Sequence, residues 1–304
     1  MIATYLSLVL AAPPGVASDA DLLGSARWHF THRINAVAGA PGGDRVAVSA
    51  ANTVAIVDPR TGAHLEEHHS PCAPVDALAW SPDGAVLVGG CNSTVLRGAR
   101  VFAWRSGGEQ PSFSGSTEAP ITAVAVGPAG ATIVAGSTQG RVITWDLQSG
   151  RRTARVEAHV GRVVGLAAGD RGVAAVGEAG VALVEGASGR RVAGPADAAA
   201  WSADGRLVLA SAAGLELISA SGVSTRIAPP PGAGPARGVF LRRGAILVAW
   251  ADRGVYQLAD TRLIPRGLLP LAAGEGTTLA GICSSRLAAR ATSWACMTWR
   301  PTSP

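Results

Sequence analysis

The chain has 304 residues, of which 48% are apolar and 5% aromatic, and its formal net charge is +5. This apolar content suffices for a packed core and excludes a disordered chain. The sequence contains no run of about 20 apolar residues, the length that a helix needs to span a bilayer. Every basic residue is Arg. A basic balance is typical of a protein with an anionic partner, but a codon preference for Arg over Lys is the favoured explanation here, so the charge alone indicates no specific nucleic-acid binding.

The first residues, MIATYLSLVLAAPPGVASDA, contain an apolar run followed by small residues. This order is typical of a secretory signal peptide, which we expect over residues 1–18, although no Arg or Lys precedes the apolar run. The alternative interpretation is a strand of the fold. A signal peptide predicts a periplasmic or secreted protein, whereas a strand leaves a cytoplasmic protein as the alternative.

Six segments of small and apolar residues, each ending in a Gly-containing turn, recur at intervals of about 40 residues. They are NAVAGAPGG, DALAWSPDG, TAVAVGPAG, VGLAAGDRG, DAAAWSADG and RGVFLRRG, which begin at Asn35, Asp76, Thr122, Val164, Asp197 and Arg237. Two further apolar runs follow each segment, and a weaker fourth run comes after another turn. Four short strands in a repeat of this length are typical of a β-propeller blade.

The repeats predict an all-β fold with a single β-propeller of four-stranded blades over residues 25–304. Blades are expected to begin near residues 34, 75, 121, 163, 196, 236 and 268, the seventh being degraded. Both faces of such a sheet are apolar, and stacking sheets around an axis buries both. The segment 26–32 has no blade of its own. We therefore expect this N-terminal strand to pair with the last blade and close the ring.

The third repeat reads VITWDLQSGRRTARVEAH, with Trp145 and Asp146 at the end of its third strand and His159 after its fourth. These residues resemble the motif of the bacterial WD-repeat family. The turn DPRTG at Asp58 is also similar to a quinoprotein-like propeller.

The WD-repeat resemblance implies a non-enzymatic scaffold that binds another protein or peptide. We expect it to act as a monomeric propeller without a cofactor, and we assign no catalytic residue. The alternative is an exported quinoprotein-like or metal-dependent propeller enzyme with its site in the axial pocket. In the family, a His, a Ser or Thr, an Asp and the Trp form a hydrogen-bonded network. The positions that match this network after His159 are Val176, Glu178 and Leu183, so we do not expect it to form there.

The densest group of metal-ligand side chains lies in HLEEHHSPC, from His64 to Cys72. Imidazole and thiolate groups suit zinc or copper, which makes His64, His68, His69 and Cys72 weak candidate ligands. The helical H-E-x-x-H motif is absent, because Leu65 follows His64 where that motif has Glu. The alternative is a polar outer strand that leads into an exposed loop, with no metal site.

Four Cys residues are present, at positions 72, 91, 283 and 296. A hairpin that turns at Ser81–Gly84 would bring Cys72 close to Cys91, and we predict a disulfide between them in an oxidising compartment. Buried thiols in a reducing compartment are the alternative.

Ser149-Gly150 and Ser188-Gly189 predict turns between the third and fourth strands of consecutive repeats. An Arg pair follows each of them, namely Arg151 with Arg152 and Arg190 with Arg191. If the turns between third and fourth strands share one rim, these pairs form a basic patch there. Such a patch can bind acidic side chains or phosphates of a partner. A solvated charged rim is the alternative. Specific nucleic-acid binding is not expected, because no aromatic residues alternate with the arginines.

Overall fold

A computed structural model describes residues 33–59, 61–93, 98–108, 111–158, 160–202, 204–242, 245–250, 254–259, 262–267, 281–284 and 295–298. In these ranges all regular secondary structure is β-strand, which confirms the all-β prediction. The described part contains no helix that could cross a membrane. The predicted signal peptide, the predicted closing strand at 26–32 and His159 lie outside the described residues.

Six antiparallel sheets of four strands follow one another along the chain, each with its strands in chain order. The first contains β1–β4 (Ile34–Gly39, Val46–Ala50, Thr53–Val57, His64–His69). The second contains β5–β8 (Val75–Trp80, Val86–Ser93, Gly98–Arg105, Phe113–Thr117). The third contains β9–β12 (Ile121–Val126, Thr132–Ser137, Arg141–Asp146, Arg152–Glu157).

The remaining strands continue this pattern. The fourth sheet contains β13–β16 (Val163–Gly169, Gly172–Gly177, Gly180–Glu185, Ser188–Ala193). The fifth contains β17–β20 (Ala198–Trp201, Leu207–Ser211, Gly214–Ile218, Ser224–Ile227) and the sixth contains β21–β24 (Ala236–Arg242, Ala245–Trp250, Gly254–Ala259, Arg262–Gly267). A two-stranded pair, β25 and β26 (Gly281–Ser284, Ala295–Thr298), comes last.

The first strands of successive sheets lie side by side, from β1 through β5, β9, β13 and β17 to β21. They form the inner side of the assembly, while the fourth strands form its outer edge. The composition explains why the first strands lie innermost. They are rich in Ala, Gly and Val, whose small side chains allow the first strands of neighbouring sheets to approach closely. These sheets are consistent with propeller blades.

The hydrophobic core is divided into layers between neighbouring sheets. Ile56 of the first sheet shares a buried cluster with Trp104 of the second, and Phe113 of the second sheet shares one with Trp145 of the third. Three further clusters lie between the third and fourth, fourth and fifth, and fifth and sixth sheets. Each of the second to fifth sheets therefore buries both of its faces, as expected for stacked repeats.

The chain order of the strands gives each sheet two distinct ends. The turns between first and second strands and between third and fourth strands lie at one end, which we call the hairpin rim. The turns between second and third strands and the linkers to the next sheet lie at the other end, the linker rim. Ser81–Gly84 forms a hairpin-rim turn, in which Ser81 accepts a hydrogen bond from the Val86 amide at 2.9 Å and Gly84 has a φ of +70°. A positive φ of this size favours glycine.

One predicted turn lies elsewhere. Ser188 and Gly189 are the first residues of β16, and the turn before them consists of Gly186 and Ala187. Gly186 carries the positive φ of +58° that closes this two-residue hairpin. Arg190 is consequently a strand residue, whereas Arg151 directly follows its turn.

Candidate functional site

The second residue of the first strand is bulged in five of the six sheets. The pairing of this strand with the second strand skips Asn35, Asp76, Thr122, Val164 and Arg237. In the fifth sheet Asp197 directly precedes the first strand. All six positions lie where the first strands meet the linker rim, and we call them the collar. Bulges of this kind redirect side chains and often lie next to functional sites.

Hydrogen bonds between sheets hold the collar in place. Asn35 Nδ2 donates to Asp76 Oδ1 at 3.1 Å, which joins the first and second sheets. Thr122 Oγ1 donates to the carbonyl oxygen of Val163 in the fourth sheet. The amide of Ala236 in the sixth sheet donates to Asp197 Oδ2 at 3.1 Å. The collar residues Asn35, Asp76, Thr122 and Asp197 thus form hydrogen bonds with a neighbouring sheet.

Asn92 strengthens the collar between the second and third sheets. Its Nδ2 donates to Asp76 Oδ2 at 2.7 Å and to the Ile121 carbonyl oxygen at 2.8 Å, while its Oδ1 accepts from the Ile121 amide at 2.7 Å. The side-chain amide thus uses both its donor and its acceptor groups within the fold. Val164 differs from these residues, since its apolar side chain is 42% exposed to solvent on the collar.

The hairpin rim is stabilised differently. Trp80 Nε1 donates to the Ala38 carbonyl oxygen of the preceding sheet at 3.0 Å, and the Arg45 guanidinium lies 5.0 Å from the centre of its ring. Trp201 repeats this arrangement with the Ala167 carbonyl oxygen at 3.1 Å and Arg171 at 5.7 Å. These two arginines are engaged in contacts between sheets and are not available as free cations.

The four predicted partner-binding arginines, Arg151, Arg152, Arg190 and Arg191, are all exposed. Arg191 Nη2 donates to the Ala179 carbonyl oxygen, in the turn between β14 and β15, and thus extends towards the linker rim. Arg152 lines a cavity between the second and third sheets. Arg152 and Arg191 thus extend away from the hairpin-rim turns, and a basic patch shared by all four arginines stays a prediction.

The predicted metal-ligand group is divided between two environments. His68 is buried, whereas His64 and His69 are exposed and each lies near Glu67, at 3.5 Å and 3.6 Å. Cys72 is bonded to Cys91, so its thiolate is not available to a metal. Among the described residues, no group of three or more His, Cys, Asp and Glu side chains is arranged to hold a metal ion.

His68 instead forms part of the interface between the first two sheets. Its ring stacks on Trp104 with the ring centres 5.0 Å apart and 16° between the planes. Burial lowers the pKa of His68, although Glu66, with Oε2 3.4 Å from Nε2, acts in the opposite direction. Nδ1 of His68 and Nε1 of Trp104 are buried and have no hydrogen-bond partner among the described residues.

The Trp-Asp pair serves the fold of the third sheet. Trp145 is buried and contacts Phe113 edge to face at 6.2 Å. Asp146 Oδ1 accepts hydrogen bonds from the amide and the hydroxyl group of Ser149, at 2.7 Å and 2.6 Å, and these bonds lower the pKa of its carboxyl group. The carboxylate thus stabilises the turn between β11 and β12.

Cys72 and Cys91 form a disulfide in the structure, with their Cα atoms 5.9 Å apart. It connects the linker between the first and second sheets to the end of β6, on the linker rim. Cys283 and Cys296 face each other as Cα partners in the pairing of β25 with β26.

Comparison with known proteins agrees with this architecture. Residues 61–96 and 107–146, about a quarter of the chain, match the WD40 family, described as WD domain, G-beta repeat. The second match ends at Asp146, on the Trp-Asp pair. The crystal structure of the computationally designed Ika8 protein has a TM-score of 0.60 and 20% identity, over 74% of this chain and 70% of that chain. No curated protein matches the chain.

The two matches and the structural likeness support a WD-repeat β-propeller, which confirms the WD-repeat resemblance. At 20% identity the Ika8 likeness concerns the fold alone. The quinoprotein-like resemblance stays a prediction. Sequence analysis missed the collar bonds of Asn92 and the stacking of His68 on Trp104, because both depend on contacts between sheets.

Proposed function

We propose that the protein is a non-enzymatic scaffold whose linker rim binds another protein or peptide. The observation that carries this proposal is the collar, a set of side chains held by hydrogen bonds between sheets around an exposed apolar residue, Val164. A surface that is ordered before binding loses less conformational entropy when a partner docks. WD40 propellers are typically scaffolds for protein interaction, and the two WD40 matches support the same role.

Other features of the linker rim favour this face over the hairpin rim. β6 and β7 are each eight residues long, and these strands extend the second sheet at the linker rim. The disulfide anchors the adjacent linker. Together these features give the loops of the linker rim a rigid support. Binding residues usually lie on loops that a rigid scaffold positions.

The proposed scaffold is a closed, monomeric ring of seven blades. Support comes from β26, which lies beside both β21 and β1 and thus between the sixth and first sheets. Further support comes from the first sheet, whose second face carries the buried side chains of Val46, Val48 and Val57. The N-terminal segment 26–32 would supply the outer strand of the last blade.

We place the mature protein in the periplasm or outside the cell. The disulfide between Cys72 and Cys91 supports this location, since disulfides persist in oxidising compartments. The signal-like residues 1–18 point the same way.

The binding face can be tested with two matched valine variants. Val164→Glu places a charge on the collar, and Val223→Glu places the same charge on the hairpin rim, where Val223 is 64% exposed. Affinity capture with the mature protein as bait, followed by mass spectrometry, identifies the partner. Titration of that partner then measures its affinity for each variant. We expect Val164→Glu to weaken binding by at least about tenfold and Val223→Glu to leave it unchanged. Equal effects of the two variants, or an effect of Val223→Glu alone, contradict the proposal.

A further inference from the structure

A cavity of about 310 Å³ lies on the side of the molecule between the second and third sheets. Four of its lining residues are arginines, one from the second sheet and three from the third: Arg100, Arg141, Arg152 and Arg155. Ser116, Thr117 and Glu118 line the opposite wall. Such a concentration of guanidinium groups in a concave surface favours the binding of anions.

A local irregularity of β12 explains how two of these arginines reach the same cavity. Residues three apart on a regular strand point to opposite faces. In the pairing of β11 with β12, Thr144 is opposite Ala154 and Trp145 is opposite Arg152, so Thr153 is an extra residue. This bulge reverses the alternation, and Arg152 and Arg155 both line the cavity.

The carboxylate of Glu118 occupies part of this cavity. Its two oxygens accept hydrogen bonds from Nη1 and Nη2 of Arg155, each at 3.1 Å, and Oε2 lies 3.5 Å from Nη1 of Arg141. Nε of Arg141 also donates to Glu157 Oε1 at 2.6 Å. The two-point contact with Arg155 is the geometry in which a guanidinium recognises a carboxylate.

Positive charge remains after these pairs are formed. The guanidinium groups of Arg100 and Arg152 form no hydrogen bond or ion pair with the part of the chain that the structure describes. Four arginines therefore face two carboxylates. The Glu118 side chain is 70% exposed, and ion pairs exposed to solvent contribute little stability, so a competing carboxylate can replace it.

We infer that this cavity, which we call the arginine groove, binds an acidic segment of a partner protein through its Asp and Glu carboxylates. Glu118 is the internal carboxylate that the partner displaces, and Arg100 and Arg152 bind additional acids. The inference rests on the proposed role in protein binding but assigns it a second surface, on the side of the propeller. The linker rim and the arginine groove can therefore be tested separately.

The test measures binding of synthetic peptides to the purified protein by fluorescence anisotropy. The probe is a short peptide with Glu at alternate positions, and matched peptides carry phosphoserine or Lys at the same positions. Arg155→Gln and Arg100→Gln should each weaken binding of the Glu peptide about tenfold, because each removes charge-assisted hydrogen bonds. Arg226→Gln, at an arginine on β20 whose side chain is 83% exposed, is the control and should change little.

Glu118→Gln gives a prediction of opposite sign. It removes the competing carboxylate while keeping the shape of the side chain, so the Glu peptide should bind several-fold more tightly. A merely structural role of Glu118 would lower stability without raising affinity, and thermal unfolding of the same variant separates the two effects.

Three results would overturn the inference. They are failure of the Glu peptide to bind, equal weakening by Arg226→Gln and Arg155→Gln, and tighter binding of the phosphoserine peptide or of inorganic phosphate than of the Glu peptide. Val164→Glu should leave peptide binding unchanged, so loss of the linker-rim interaction and loss of the groove interaction remain distinguishable.

Discussion

At the scale of single residues, the structural roles of His68 and Asn92 differ from what the sequence predicts. His68 was a weak metal candidate because of its neighbours in the chain, yet its ring is buried against Trp104 of the next sheet. Asn92 was not predicted as a binding residue, yet it makes two hydrogen bonds to Ile121 of the third sheet and one to Asp76 within its own sheet. Sequence spacing reports neighbours along a strand and not the partner across an interface.

Burial of His68 makes stability depend on pH. The imidazolium is disfavoured in the folded state, so the folded-state pKa lies below 6.5 and the unfolded chain binds the proton more readily. The free energy of unfolding should therefore be largest above pH 6.5 and fall as the pH drops below it, with a slope of at most about 1.4 kcal/mol per pH unit from this group. Urea unfolding over a series of pH values measures the slope.

The control is a pair of phenylalanine variants. His68→Phe keeps the stacked ring and removes the titrating group together with a buried Nδ1 that has no partner, so it should flatten the slope without lowering stability at neutral pH. His69→Phe alters an exposed neighbour and should leave the slope as it is. An unchanged slope in His68→Phe would refute the assignment.

At the scale of strands and turns, the sequence predicted most of the fold. Alternating apolar runs and Gly-containing turns indicated the four-stranded units, and the sheets begin at Ile34, Val75, Ile121, Val163, Ala198 and Ala236. The predicted turn at Ser188-Gly189 was wrong because Gly186, three residues before Gly189, supplies the positive φ that the turn needs. The bulge at Thr153, which forms the arginine groove, has no composition signal and could not be predicted.

The disulfide is a covalent link between elements and should contribute measurably to stability. Cys72 and Cys91 enclose a loop whose closure entropy corresponds to about 3 kcal/mol. Cys72→Ala combined with Cys91→Ala should lower the free energy of unfolding by about this amount and should be insensitive to reductant. The intact mass of the native protein, with and without reduction, reports both the disulfide and the start of the mature chain.

A native mass without the disulfide, or one that retains residues 1–18, would contradict the proposed export. A wild-type protein whose stability does not change on reduction would contradict the structural role of the Cys72–Cys91 bond.

At the scale of the whole molecule, stability depends on sheets packed face to face, and the two proposed binding surfaces depend on the same packing. The six sheets bury apolar layers between them, and β26 lies between the first and the sixth. Composition and repeat length predicted the stacking because every sheet needs both faces covered. The identity of the partner could not be predicted, since the collar and the arginine groove each combine residues from several repeats.

Hydrogen exchange of the full-length protein, followed by mass spectrometry, tests the closed ring most directly. In a closed ring, peptides that cover β26 and β1 should exchange as slowly as those that cover β9, because all open in one cooperative transition. Exchange of β26 within seconds, with β1 losing protection while β9 stays protected, would contradict the ring.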